Sequence, residues 1–404
     1  MLKNKFVFII ILILIITLSL SGCFYIKTSF SDDDTLPAAE YDADVTIEEN
    51  TVMTEGTTVL AETSETDFPS SFNDLSDIIS TMTLEQKVAQ MILLSCHEDV
   101  DVEKAVSVGV GGLCLYGFSF ENKTRDEVID MNNSYQSLAQ IPLIISTDEE
   151  GGDVNRISFN ENLRLVPFWS PSDLYAEGEW ELIISDTEEK ADLLLSLGVN
   201  VNLAPVCDVA VSDENYIYDR TFSLDASETS EYVSTVVSVM KDKGIGSTLK
   251  HFPGYGGSVD THQEIAYDTR DYSVFENNDF LPFKAGITAG ADSVLVTHNI
   301  VECMDSEMPA SLSKNVHDIL RFELGFDGVV ITDDLVMSAI TDFTDGENAA
   351  VYAVLAGNDM LCCENYEEAI VSIINAVQDG IIDEAQIDAS VKRILTWKAN
   401  LNLL

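Results

Sequence analysis

Residues 247–262 read Ser-Thr-Leu-Lys-His-Phe-Pro-Gly-Tyr-Gly-Gly-Ser-Val-Asp-Thr-His. The stretch opens as the end of an apolar, strand-like run, and that run delivers two polar groups, Lys250 and His251. Pro253 and the glycines at 254, 256 and 257 then make a regular helix or strand improbable. The segment reads as a loop, and the loop carries Asp260 and His262 with one residue between them. An aspartate so placed can orient an imidazole and hold its charged form. Taken alone, the same residues also suit a solvated turn.

The same pattern, an apolar run ending in a chemically useful side chain, recurs along the chain. Runs occur at 91–95, 112–116, 142–146, 199–204, 247–250, 293–297, 328–331 and 359–361. Amphipathic helical patterns separate most of them, among them 191–197, 232–243, 281–289, 315–324 and 348–356. Continuous apolar strands alternating with helices imply a parallel sheet covered on both faces. Eight of them predict an α/β fold, a (β/α)8 TIM-like barrel forming a single catalytic domain. Asp148 and Glu149 follow the third run, Asp208 the fourth, Lys250 and His251 the fifth, His298 the sixth and Asp333 the seventh. In a barrel all of these strand ends open on one face, where such folds build their sites.

Composition narrows the classes of function. With 70 acidic against 21 basic residues the formal net charge is -49, a surface that repels nucleic acid and anionic membrane. Lys3 and Lys5 precede an apolar run from Phe6 to Leu20, followed by Ser21-Gly22-Cys23. A short apolar core with basic residues before it and small ones after it is the pattern of a secretory signal. The Leu-Ser-Gly-Cys ending resembles a bacterial lipoprotein signal, so residues 1–22 are expected to be removed and Cys23 lipidated. The chain is then exported and lipid-anchored at the extracytoplasmic face of the cell membrane. Residues 23–74 are acidic and rich in Ser and Thr, and cannot bury enough apolar surface to offset their ordering entropy. They are expected to form a disordered tether, with the barrel domain over 75–404. Within it, Thr83 is the expected N-cap of a helix over 82–91. The six remaining cysteines show no metal-type Cys-x-x-Cys spacing, and neither a zinc site nor a disulfide framework is expected.

Asp333, in Val-Val-Ile-Thr-Asp-Asp-Leu-Val-Met, is the candidate nucleophile, since a buried strand presents it rigidly at the mouth. Adjacent strand residues face opposite sides, so Asp334 is expected to point elsewhere and cap the following turn. At this point five motifs stand in register: Asp148-Glu-Glu-Gly-Gly152, Asn202-Leu-Ala-Pro-Val-Cys-Asp208, Asp219-Arg-Thr-Phe222, Lys250-His-Phe-Pro-Gly254 with Asp260-Thr-His262, and Thr332-Asp-Asp-Leu-Val-Met337. Together they resemble family 3 glycoside hydrolases of the β-N-acetylhexosaminidase branch, over a stretch from about Met82 to at least Leu361.

The resemblance implies a retaining mechanism with Asp333 as nucleophile and His262, partnered by Asp260, as acid/base in place of the usual second carboxylic acid. It further implies that Asp148 accepts hydrogen bonds from the terminal sugar, with Arg156, Arg220, Lys250 and His251 as donors. His298 matches a family position at a strand end and reads better as a satisfied histidine behind the site. Asp153, Tyr255 and Thr261 stand where the family usually has Arg, His and Ser. The implied substrate is a carbohydrate, a glycan ending in N-acetylglucosamine such as a cell-wall fragment, with no cofactor and no metal. Phosphorolysis of the same bond is the alternative chemistry, because a histidine acid/base spares an attacking phosphate the repulsion of a carboxylate. A barrel that kept glycan binding and lost turnover is the alternative outside enzymes.

Overall fold

The structure, a computed structural model, describes residues 75–257, 266–337, 340, 343, 344 and 349–404. Eight strands make up its central sheet: β1 (Ile92–Cys96), β2 (Gly112–Leu115), β3 (Ile144–Thr147), β4 (Val201–Asn202), β5 (Gly246–Phe252), β6 (Ser293–Val296), β7 (Val329–Thr332) and β8 (Leu361–Cys363). They are hydrogen-bonded in the order β7-β6-β5-β4-β3-β2-β1-β8, and every pairing is parallel. Between β7 and β8 the ring closes through the parallel bridge of Ile331 with Met360. Met360 N–H donates to the Val330 carbonyl at 3.0 Å and Thr332 N–H to the Met360 carbonyl at 3.1 Å. The expected barrel is therefore the observed one.

Burial explains why these runs are strands. All five residues of β1 and all four of β7 are buried, as continuous apolar strands covered on both faces must be. Helices follow in alternation and are set by their caps. Thr83 is the N-cap, as expected, and makes a capping box with Gln86 at the head of Leu84–Gln90, Thr124 makes one with Glu127 ahead of Arg125–Leu138, and Asp225 accepts from Ser227 and Glu228 N–H to start Ala226–Lys243. Each satisfies amide donors that a helix start leaves open. The pattern over 191–197 belongs to a much longer helix, Pro171–Ser196, interrupted by non-helical dihedrals at Gly178 and Glu179. Its acidic, irregular first half hid it from a periodicity reading.

The last helix, Glu384–Asn400, lies at the N-terminal end of the barrel. Lys398 Nζ donates to Gln90 Oε1 at 2.7 Å, and Gln90 reaches the Gly109 carbonyl just ahead of β2. The six cysteines at 96, 114, 207, 303, 362 and 363 are free, and all but Cys303 are buried.

Candidate active site

At the opposite end of the barrel, β3 runs into a small hairpin formed by Glu149–Gly151 and Val154–Asn155. Gly151 sits at φ +104°, and a Cβ there would run into the backbone carbonyl of Trp169. Only glycine both takes this dihedral and permits that approach. Neighbouring residues of the hairpin face opposite sides, which gives Glu149 and Glu150 different work. Glu149 is fully buried and accepts the backbone N–H groups of Arg156, Ile157 and Ser158 at 2.9, 2.7 and 3.1 Å. It fixes the loop that presents Arg156.

Glu150 turns the other way and becomes the centre of a charged basket. Arg220 grips it in a fork, Nε to Oε2 at 3.0 Å and Nη2 to Oε1 at 2.8 Å. Lys250 Nζ lies 2.6 Å from Glu150 Oε1 and 2.6 Å from Asp148 Oδ1. Burial on its own would push the Glu150 carboxyl up; the Arg220 and Lys250 charges and their hydrogen bonds outweigh it and hold it far below the usual carboxylate range. Burial likewise works to lower Lys250, and the charges of Asp148 and Glu150 raise it above 10.5. Glu150, Lys250 and Arg220 are thus held in their charged forms, with oppositely charged partners fixed before any ligand arrives.

His251 completes the basket. Its Nδ1 is 2.7 Å from Asp208 Oδ2, and its Nε2 is 3.2 Å from Arg220 Nη2. A carboxylate can only accept and a guanidinium can only donate, so these contacts have Nδ1 donating to Asp208 and Nε2 accepting from Arg220. Asp208 also receives the backbone N–H of His251 at 3.1 Å and of Tyr255 at 2.7 Å. Tyr255, one of the three departures from the family pattern, is buried and packs edge-on against the His251 ring with centroids 5.2 Å apart. Asp153 is exposed at the tip of the hairpin. Arg156 stands at the edge of the group, its Nε 3.8 Å from Asp148 Oδ2, beyond hydrogen-bond length, with its guanidinium 6.0 Å from the centre of the Tyr116 ring.

The second half of the mouth is the turn after β7. Asp333 N–H donates to the Val296 carbonyl at 3.0 Å, continuing the ladder to β6, and Asp333 Oδ1 accepts the Asp334 N–H at 2.9 Å. Asp334 caps its turn as expected, Oδ1 accepting the Val336 N–H at 3.2 Å. Its Oδ2 has partners that the sequence reading missed: the Ser95 hydroxyl, the Tyr116 hydroxyl at 3.3 Å and His97 Nε2 at 3.2 Å. His298 is fully buried, with Nδ1 2.7 Å from the Ser311 hydroxyl and Nε2 3.0 Å from the Asp334 carbonyl. It supports the turn from behind, in keeping with its reading as a satisfied histidine.

The structure thus brings Asp148, Lys250, His251 and Arg220 into one bonded group, sets Arg156 beside it, and places Asp333 on the same end of the barrel. Asp260, Thr261, His262 and Cys23 lie outside the described residues. Glu150 and Asp208, the hubs of the group, were not singled out as site residues. Their signal was present in strand alternation for Glu150 and in strand-end position for Asp208. Among the described residues no group of three or more His, Cys, Asp or Glu side chains is arranged to hold a metal ion.

This chain matches the Glycosyl hydrolase family 3 N terminal domain over residues 83–397. It belongs to glycosyl hydrolase family 3. A relative named beta-hexosaminidase, from Xanthomonas campestris pv. campestris (strain B100), is 34% identical over 297 residues, covering 71% of this chain and 87% of the relative. Another of that name, from Stenotrophomonas maltophilia (strain K279a), is also 34% identical over 297 residues, with 71% and 86% covered. Among solved structures, a family 3 β-N-acetylglucosaminidase from Paenibacillus sp. str. FPU-7 superposes with a TM-score of 0.74 at 32% identity, covering 80% of this chain and 63% of that one. This chain therefore spans a little under two thirds of the Paenibacillus protein. A β-N-acetylhexosaminidase from Beutenbergia cavernae superposes with a TM-score of 0.71 at 25% identity, covering 79% and 99%. The family membership makes the chain a glycoside hydrolase, and its barrel mouth is the candidate active site.

Proposed function

We propose that this family 3 chain is a retaining exo-β-N-acetylhexosaminidase that releases terminal N-acetylglucosamine from cell-wall fragments or other glycans. The observation that carries the reading is the basket of Asp148, Glu150, Arg220, Lys250 and His251 on the same barrel face as Asp333. Charged groups fixed in advance suit a polyhydroxylated ring, because charge-assisted hydrogen bonds are the stronger kind. The names of the relatives supply the sugar: hexosaminidase for the curated ones, N-acetylglucosaminidase for a structural one.

In this reading Asp333 attacks the anomeric carbon while the bond to the departing oxygen breaks, and that oxygen takes a proton from His262, held by Asp260. Water then attacks the same carbon, gives a proton back to His262 and releases Asp333. Asp148 accepts from sugar hydroxyls, while Arg156, Arg220, Lys250 and His251 order it and the sugar. With Nδ1 on Asp208 and Nε2 on Arg220, His251 acts on the sugar through the guanidinium it orients. The test is hydrolysis of p-nitrophenyl N-acetyl-β-glucosaminide with and without inorganic phosphate. Release of free N-acetylglucosamine independent of phosphate is expected, with kcat reduced about 10⁴-fold in Asp333→Ala. An inert wild-type chain sinks the reading, and a phosphate requirement with a sugar phosphate as product replaces hydrolysis by phosphorolysis.

The reading includes export. Cys23 is the lipidated first residue of the mature chain, and the acidic segment up to residue 74 spaces the barrel from the membrane, since like charges extend a linker. Incorporation of labelled palmitate, abolished in Cys23→Ser, is the expected result.

A further inference from the structure

We infer that His97 is a positioning residue for the turn that carries Asp333, an inference that rests on the nucleophile reading above. His97 is the residue immediately after β1, and its side chain is 40% exposed while that of Asp334 is 11% exposed. Its ring stacks on Tyr116 with centroids 5.0 Å apart and an interplanar angle of 18°. The orientation is therefore set by an aromatic neighbour, and it aims Nε2 at Asp334 Oδ2, 3.2 Å away.

The contact matters because of what else Asp334 does. Its Oδ2 collects Ser95, Tyr116 and His97, and the Tyr116 and Ser95 hydroxyls are themselves 3.0 Å apart. These donors come from the ends of β1 and β2, across the closing seam of the barrel from β7. The backbone of the same residue faces the other way: its carbonyl is held at 3.0 Å by His298 and its N–H donates to Asp333 Oδ1 at 2.9 Å. Asp334 thus acts as a lever with its side chain anchored in β1 and β2 and its amide on the attacking carboxylate. Moving the anchor moves the amide.

A hydrogen bond to one oxygen of Asp333 fixes which way the carboxylate faces, which bears on a reaction needing near-attack geometry. Sugar binding in the ground state falls to the basket on the β3, β4 and β5 side, which His97 does not touch among the contacts described. Loss of the anchor should therefore lower kcat and spare KM. Of the three side-chain donors, His97 is the exposed one, so its replacement perturbs the turn without opening a hole in the core.

The test compares two variants of the full chain on p-nitrophenyl N-acetyl-β-glucosaminide, with melting temperature measured on the same samples. His97→Phe keeps the stacked ring and removes the donor; His97→Gln restores a donor without the ring. The expected result is a kcat about tenfold lower in His97→Phe, KM within about twofold of wild type, and recovery to within about threefold in His97→Gln. Unchanged kcat in His97→Phe, or equal losses in the two variants, overturns the inference. Should His97→Phe melt early, Tyr116→Phe removes a second donor from the same oxygen, and full kcat there overturns it equally. Asp333→Ala run alongside separates the two levels. Turnover surviving in Asp333→Ala overturns the nucleophile reading and the inference with it, whereas an inert Asp333→Ala beside a fully active His97→Phe overturns the positioning role alone.

Discussion

Lys250 and Lys398 are both buried, one at each end of the same barrel, and they sit in opposite electrostatic worlds. Lys250, at the mouth, has two carboxylates within 2.6 Å, and although burial works against its charge, Asp148 and Glu150 raise it above 10.5. Lys398, at the foot, is fully buried with Gln90 Oε1 at 2.7 Å, and desolvation lowers it to about 7. The difference teaches where the chain concentrates fixed charge. At the mouth, buried ions are compensated by one another and remain ionised for binding; at the foot, a long side chain fills space and its charge is only a cost.

Breaking the mouth should have the larger effect. Lys250→Met leaves Asp148 and Glu150 without their shared cation, and removing one partner of a buried ion cluster costs about 3–5 kcal/mol. The expected outcome is an early melt in calorimetry together with kcat/KM on the aryl glycoside lowered at least about 100-fold. A variant as stable and as active as the parent would show that the basket is not a unit.

The foot should respond less, and with the opposite sign. Lys398→Met replaces a buried cation that faces an amide oxygen and, among the described residues, no carboxylate with an apolar chain of similar length, and is expected to stabilise by about 2 kcal/mol near pH 6. The sign of its pH dependence follows from the depressed value. Below about 7 both folded and unfolded chains carry the proton and the full penalty is present. Between about 7 and 10.5 the unfolded chain binds a proton that the folded one lacks, so wild-type stability rises with pH. Urea melts at pH 6 and pH 9 should therefore show the advantage of the variant shrinking at the higher pH, and an advantage independent of pH would sharpen the contrast away.

Much of this arrangement was legible in the sequence, for identifiable reasons. Strands buried on both faces leave continuous apolar runs, and a barrel puts their ends on one rim, so Asp148, Lys250, His251 and Asp333 could be picked out by position. The alternation rule that separated Asp333 from Asp334 applies equally to Glu149 and Glu150, yet two glutamates before two glycines look equivalent until the hairpin is seen to turn one toward backbone amides and the other toward Arg220. His97 escaped notice for a different reason. The apolar run there ends at Ser95, and its partner Asp334 is 237 residues away. The hydrogen-bonding roles of the His251 ring needed both its neighbours at once, one acceptor and one donor, which only the fold assembles.

The closure between β7 and β8 has a consequence for self-association. An open sheet of eight parallel strands would end in β7, with a row of unpaired amides and carbonyls able to template a foreign strand. Here Met360 takes the Val330 carbonyl, Thr332 N–H takes that of Met360, and Leu335 N–H reaches the Cys362 carbonyl at 2.9 Å. Where the backbone ladder runs short, the Thr332 hydroxyl substitutes for it by accepting the Cys362 N–H at 3.0 Å. The strand that leads into Asp333 is thus sealed on both sides, and the segment whose exposure would most invite aggregation is the one the ring withholds.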